Sequence, residues 1–290
     1  MSHSVDYKNI PIFIISYNRL HYLKLLVECL ENKGYTNITI IDNQSAYPPL
    51  LNYLQNVKHK VFYMDKNYGH KVFWMHKSFR KIIETQYYAI TDPDILPIQQ
   101  CPDDFMEQFY EILQNNPKVL KVGFSLKIDD IPNHNKYKDY IIKWERQFYE
   151  KPLESKDYKI YNAPIDTTFA LYRPTIDILN DEFFYNAIRT GYPYQARHLA
   201  WYINQKQLDN ESVFYKQHTI DDSSTWYDLS DRWIEIINLT RMSKAKQITI
   251  KTIKLFINKI CINLIPIKSV RKRLRNTSNR FIAKIFKLPM

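Results

Sequence analysis

Two carboxylates one residue apart are the side chains in this sequence best suited to chemistry. Asp92 and Asp94 flank Pro93 directly after the apolar run Tyr87-Tyr88-Ala89-Ile90-Thr91. Acids at that spacing, at the mouth of a strand, offer hard oxygen ligands to Mg2+ or Mn2+, ions that complete their shells with water and substrate phosphates. Pro93 fixes the turn between them and directs the chain out of the sheet. The competing reading is a solvated turn, because Asp and Pro are both common turn residues. His70, Lys71 and Arg173 are candidate partners for the phosphates that such an ion would bring. Tyr192, Tyr194, Trp201 and Trp226 offer rings for stacking on a ligand, although in a chain with 23 Tyr most aromatics must serve packing.

The elements that would position these residues follow from periodicity. Residues 12–15 form an apolar run of strand length, followed by the polar turn 16–19. Leu23, Leu26, Val27 and Leu30 then recur at helical spacing up to Gly34, a residue suited to a left-handed helix stop. Strands are expected at 38–41, 61–64 and 87–90, with a helix over 72–84 and a Pro48-Pro49 break between the second and third. Parallel neighbours need crossovers, so this cadence predicts a mostly parallel sheet with helices on both faces. Further along, a helix is expected at 105–115, strands at 119–126 and 168–172, helical segments near 181–189 and 198–205, and a last strand at 213–215. Residues 127–159 read as irregular. In sheets of this kind ligands sit at the carboxyl ends of the strands. With four glycines in the chain, neither a GxGxxG nor a GxxxxGK[ST] motif is present, which excludes the Rossmann dinucleotide and P-loop readings.

Four segments taken in order resemble the nucleotide-binding half of GT-A glycosyltransferases, most of all the inverting family 2 and its bacterial relatives. They are Pro11-Ile12-Phe13-Ile14-Ile15-Ser16-Tyr17-Asn18-Arg19, the Asp42-Asn43 end of the second strand, Asn67-Tyr68-Gly69-His70, and Asp92-Pro93-Asp94. The resemblance spans roughly residues 10–220 and implies a GT-A (Rossmann-like) α/β fold. By position it makes Tyr17, Asn18, Arg19 and Asp42 nucleoside contacts and places Asn67 near the diphosphate. It makes Asp92 and Asp94 metal and diphosphate contacts, and His218 a third metal ligand. The strand Thr167-Thr168-Phe169-Ala170-Leu171-Tyr172-Arg173 matches less well, with threonines where the family has glycine. No Glu-Asp pair follows it, so the general base is open between Asp166 and His198, either of which can take a proton from an acceptor hydroxyl. The implied reaction is single displacement, probed by loss of metal-dependent turnover, with a nucleoside diphosphate sugar as donor, uridine the expected nucleoside, and inversion the expected outcome.

Composition sets the remaining bounds. With 290 residues, 45% hydrophobic and 24% charged, the chain can bury a core. The formal charge of +11 is unevenly spread: residues 241–290 hold 14 of the 41 Lys and Arg and no acid, leaving 27 basic against 30 acidic residues before them. Nucleic acid is therefore not an expected partner of the body. The expected domains are a catalytic unit at 1–240 and a basic amphipathic helical tail at 241–290. The tail interleaves Ile253, Phe256, Ile257 and Ile260 with Lys251, Lys254 and Lys259, a pattern suited to an anionic membrane surface. No run of about 18 apolar residues occurs, and Cys29, Cys101 and Cys261 form no CxxC, so a cytoplasmic protein peripheral to the inner face of a bacterial plasma membrane is expected. The acceptor expected there is a glycan or glycolipid of surface polysaccharide, such as lipopolysaccharide or capsule. Two alternatives stand beside this reading: a sugar-nucleotide nucleotidyltransferase, which normally has a Gly-rich loop where this chain has Ser16–Arg19, and a non-enzymatic membrane-docking scaffold with a degenerate transferase core.

Overall fold

The computed structural model describes residues 5–155, 157–166, 168–176 and 185–219. The expected tail at 241–290, with Trp226 and Cys261, lies outside them. The strands are β1 (Ile12–Ser16), β2 (Ile38–Asp42), β3 (Lys60–Tyr63), β4 (Tyr88–Thr91), β5 (Ile95–Pro97), β6 (Lys121–Leu126), β7 (Pro152–Leu153), β8 (Ile160–Asn162), β9 (Ala170–Tyr172) and β10 (Ala187–His198). They form one sheet in the order β3-β2-β1-β4-β9-β6-β10-β8-β7, with β5 paired to β10. Strands β3, β2, β1 and β4 are mutually parallel, as are β6 and β10, while β9 runs antiparallel between the two sets.

All five residues of β1 are buried, as a central strand covered on both faces requires. Phe13 faces one layer, its ring 4.6 Å from Phe73 and 5.8 Å from Phe79, around α3 (Val72–Met75) and α4 (Arg80–Thr85). On the opposite face, Phe105 and Phe109 of α5 (Phe105–Asn115) pack on Phe124 of β6 at 5.2 and 4.9 Å. Helix α1 (Leu20–Asn32) buries Leu23, Leu26, Val27 and Leu30, the stripe read in the sequence, and Gly34 ends it at φ +83°. Where β6 meets β9, a Cβ on Gly123 would lie 2.3 Å from the Phe169 carbonyl oxygen, so only glycine fits that contact.

Several expectations are corrected. Pro48-Pro49 opens α2 (Pro48–Asn56) rather than breaking the chain, since the first helical turn needs no proline N–H. The expected helix at 72–84 is split by His76, whose ψ of 127° is extended, into α3, a 3-10 turn at Lys77–Phe79, and α4. Residues 127–159 contain α6 (Lys138–Glu145). Ala187–Arg189, expected as helix, begins β10, and the segment after His198 is a single 3-10 turn, Leu199–Tyr202. The expected strand at 213–215 lies within helix α7 (Asn210–His218), whose start is capped by Asp209 accepting from Ser212 N at 2.7 Å.

Candidate functional site

Because β1, β2, β3 and β4 are parallel, the turns after them gather along one edge of the sheet. Side-chain amides tie these turns together. Asn18 is fully buried at φ +51°, a conformation Asn tolerates better than most residues. Its Oδ1 accepts from Ala46 N (2.7 Å) and Tyr47 N (3.0 Å), and its own N–H donates to Ser45 Oγ (2.9 Å). The turn after β1 is thereby pinned to the turn after β2. Asp42 is nearly covered there, accepting from Ser45 N at 3.3 Å, and burial pushes its carboxyl above the usual range. Asn43 carries the link onward: its Nδ2 donates to Asn67 Oδ1 (2.9 Å) and Gly69 O (3.1 Å), and its Oδ1 accepts from Tyr68 N (2.9 Å). Gly69 sits at φ +72°, its N–H donating to Asn67 Oδ1.

A buried ion pair stands at the centre of this edge. Arg19 Nη1 lies 3.2 Å from Asp94 Oδ2, with the side chains 6% and 11% exposed. The guanidinium carbon lies 3.8 Å from the centre of the Tyr215 ring and 5.3 Å from that of Tyr22. His198 is adjacent, its Nε2 3.9 Å from the same Asp94 oxygen and its ring stacked at 5.0 Å on Trp201. Burial lowers the imidazole's proton affinity; the Asp94 charge acts the other way. The backbone holds the pair of segments together, with Leu199 N donating to Asp94 O at 2.7 Å. Beyond His198, Arg197 donates from Nε (2.9 Å) and Nη2 (2.6 Å) to Asp130, which also accepts from the Tyr202 hydroxyl.

The remaining expected residues are distributed unevenly. Tyr17 joins the edge, its hydroxyl donating to His218 O at 2.8 Å. His70 and Lys71 follow Gly69 in the turn before α3, His70 exposed. Asp92 is half-buried next to the pair, and its charge, like that of Asp166, reaches the Tyr172 hydroxyl. Asp166 itself is exposed. Arg173 is not brought to this edge. It follows Tyr172, which pairs with the first residues of β4 and β6, and donates to Val119 O (3.0 Å) and Leu113 O (2.6 Å) at the end of α5. Its place is thus the opposite end of the sheet, where it satisfies terminal helix carbonyls. Trp201 is 1% exposed and Tyr194 is buried with its hydroxyl on Asp104 (3.0 Å), so both pack, whereas Tyr192 is exposed.

A divalent ion held by Asp92, Asp94 and His218 does not fit the residues as placed. Asp94 already faces a guanidinium. The exposed His218 ring lies flat on Phe214 at 3.9 Å, with Nδ1 2.8 Å from Phe214 O. Among the described residues, no three His, Cys, Asp or Glu side chains converge.

Glu211, Tyr215 and Lys121 escaped the sequence reading. Arg19 gives α1 no side-chain cap; instead Glu211, on α7, accepts from Leu20 N (2.9 Å) and His21 N (3.0 Å). This places a carboxylate at the positive end of the helix. A separation of about 190 residues leaves no local signal for such a pairing. Lys121 did leave one: a lysine inside an apolar run read as strand. It is fully buried beside the Tyr172 ring (5.1 Å), and burial lowers its pKa to about 7 against the pull of Asp166.

No family model matches the chain, and no curated protein matches it in sequence. Among solved structures, a mannosyltransferase from Pyrobaculum calidifontis in complex with GDP-Man and Mn2+ aligns with a TM-score of 0.40 at 11% identity, over 97% of this chain and 86% of that one. A 4-diphosphocytidyl-2C-methyl-D-erythritol synthase from Anaerococcus prevotii aligns at 0.35 and 10%, over 72% of this chain and 100% of that one. Both are distant likenesses of shape, and the functional reading rests on the residues of the site.

Proposed function

We propose that the chain is a glycosyltransferase that moves a sugar from a nucleoside diphosphate sugar, UDP-linked in the first instance, to a hydroxyl of a glycan or glycolipid. The observation that supports this reading is the gathering of Tyr17–Arg19, Asp42–Asn43, Asn67–Gly69 and Asp92–Asp94 on the carboxyl edge of four parallel strands. Ligands of open α/β sheets bind along that edge. Tyr17 would face the nucleoside on a turn held by the buried Asn18 and Asp42, and Asn67, His70, Lys71 and Arg19 the diphosphate. Cationic side chains there offset the charge that builds on the departing phosphate.

Exposure favours Asp166 of the two proton acceptors. The His198 side chain is 16% exposed, stacked on Trp201 with its Nδ1 buried, whereas Asp166 is exposed. Asp166 is accordingly assigned the acceptor hydroxyl's proton, and His198 the support of Asp94. The hydroxyl oxygen then bonds to the anomeric carbon, the bond to the diphosphate breaks, and configuration inverts. The Mn2+ or Mg2+ expected from the sequence is not carried into this reading, for the misfit described above. The basic tail at 241–290 would hold the chain on anionic lipids at the inner face of the plasma membrane, close to acceptors of surface polysaccharide synthesis. Among the described residues, no helix is long and apolar enough to cross a membrane.

A panel of sugar nucleotides, assayed for binding and for slow release of nucleoside diphosphate, tests the proposal. One donor should be bound and hydrolysed. Asp166→Asn should lower transfer about 100-fold while donor affinity stays within about 3-fold. Absence of binding and hydrolysis across the whole panel would refute the reading.

A further inference from the structure

We propose that Arg19 is the cation built into the Asp92–Asp94 turn, so that this turn does not take up a divalent ion and nucleoside diphosphates bind without one. The second half of this statement rests on the donor reading of the site; the first half does not.

Charge balance is the starting point. A metal bonded to Asp94 would stand about 2 Å from its oxygen. Arg19 Nη1 is already 3.2 Å from Oδ2, so the ion would meet a like charge at close range under little solvent cover. Moving the guanidinium aside is opposed by its surroundings. It lies on the Tyr215 ring at 3.8 Å, and its backbone is clamped on both sides. Asn18, before it, is fixed by Ser45, Ala46 and Tyr47, and Leu20 and His21, after it, by the Glu211 carboxylate.

Three further candidate ligands are committed elsewhere. His218 lies on Phe214, Asp130 accepts from Arg197 and Tyr202, and Glu211 serves the amino terminus of α1. Guanidinium, by contrast, is chemically suited to the same substrate. It stays charged at any working pH, and its planar fork of five donors matches phosphate oxygens as well as carboxylate. Asp94 on this account orients Arg19, a role that needs one acceptor oxygen and no metal.

The test uses Mn2+ alone, followed by electron paramagnetic resonance as the full chain is added. The wild type should show no Mn2+ site tighter than about 1 mM. Arg19→Gln, which removes the charge and keeps a planar amide, should gain a site at least about 10-fold tighter, and the further change Asp94→Asn should remove it. A wild-type Mn2+ site near about 50 µM that Asp94→Asn abolishes would overturn the proposal, whatever the variants of Arg19 do. Calorimetric titration of UDP and GDP, in EDTA and in Mn2+, addresses the second half. Affinities within about 3-fold of each other, weakened about 10-fold or more by Arg19→Gln in EDTA, support it. Binding that requires Mn2+ overturns it and leaves the donor reading standing. Absence of binding in both conditions overturns the donor reading, while the Mn2+ titration still decides the fate of the ion.

Discussion

Replacing Asp94 by alanine tests how firmly the site's central ion pair is held. At 3.2 Å the attraction is about 5 kcal/mol for an effective dielectric constant of about 20, part of which offsets the cost of desolvating both charges. Removing Asp94 strips the buried Arg19 guanidinium of this carboxylate, a change that costs about 3–5 kcal/mol in comparable buried pairs. Stacking on Tyr215 persists in the variant and retains about 1 kcal/mol of that. The backbone bond from Leu199 to Asp94 O also survives, since it does not involve the side chain.

Asp94→Ala is therefore expected to lose about 3 kcal/mol, and Asp94→Asn about 2 kcal/mol because its amide oxygen still accepts from Nη1. The double change Arg19→Met with Asp94→Leu should fall within about 1 kcal/mol of wild type, since apolar replacement of a buried pair is often close to neutral. Urea unfolding followed by tryptophan fluorescence, with unchanged slope, reads these differences. A loss below about 1 kcal/mol for Asp94→Ala would mean that the pair behaves as a screened surface bridge, and the rigid placement of Arg19 would be refuted.

Two further substitutions probe the sheet beneath the site. With a folded pKa of about 7, Lys121 is neutral in the fold over a range where the unfolded chain still binds its proton, so stability should rise from pH 7 toward pH 10. Lys121→Met should flatten that rise by about 3 kcal/mol between pH 7 and pH 9.5, and parallel stability curves for the two proteins would contradict it. Gly123→Ala should cost about 3 kcal/mol, because its methyl would meet the Phe169 carbonyl and the Ala170 side chain; a denaturation midpoint equal to wild type would show that β9 can move away.

Legibility in the sequence followed burial. Strands β1, β2 and β4 are covered on both faces, so they appear as largely apolar runs, and the polar residues closing them mark the candidate site edge. In β10, Arg189, Gly191 and Pro193 interrupt that signal. Arg189 is buried because it pairs with Glu145 and donates to Pro164 O at 2.8 Å, a partnership spanning tens of residues. A register shift between Thr190 and Gln195 then breaks the alternation that would have marked a strand. In α7 the aromatic and β-branched run Val213-Phe214-Tyr215 carried strand propensity, and the Asp209 cap three residues before Ser212 was the contrary signal. His218 belongs to the end of that helix, which turns its ring onto Phe214.

Charge compensation at the site is internal and long-range, which accounts for the kind of residue found there. Glu211 places a carboxylate on the amino terminus of α1, Arg19 just before that terminus faces Asp94, and Asp94 is held through its carbonyl to Leu199, beside His198. Tyr215, one helical turn beyond Glu211, covers the guanidinium, so α7 contributes the cap and the cover from the same face. Each ionised group in this chain of contacts meets an opposite charge or a helix amino terminus. A divalent ion entering that arrangement would have to displace a cation already in place, whereas under the proposed donor reading a diphosphate would meet a guanidinium whose orientation is fixed before the ligand arrives. Preorganisation of that kind reduces the ordering cost of binding, and under the same reading it would tie donor affinity to contacts made by residues 211 and 215, nearly 200 positions from Arg19.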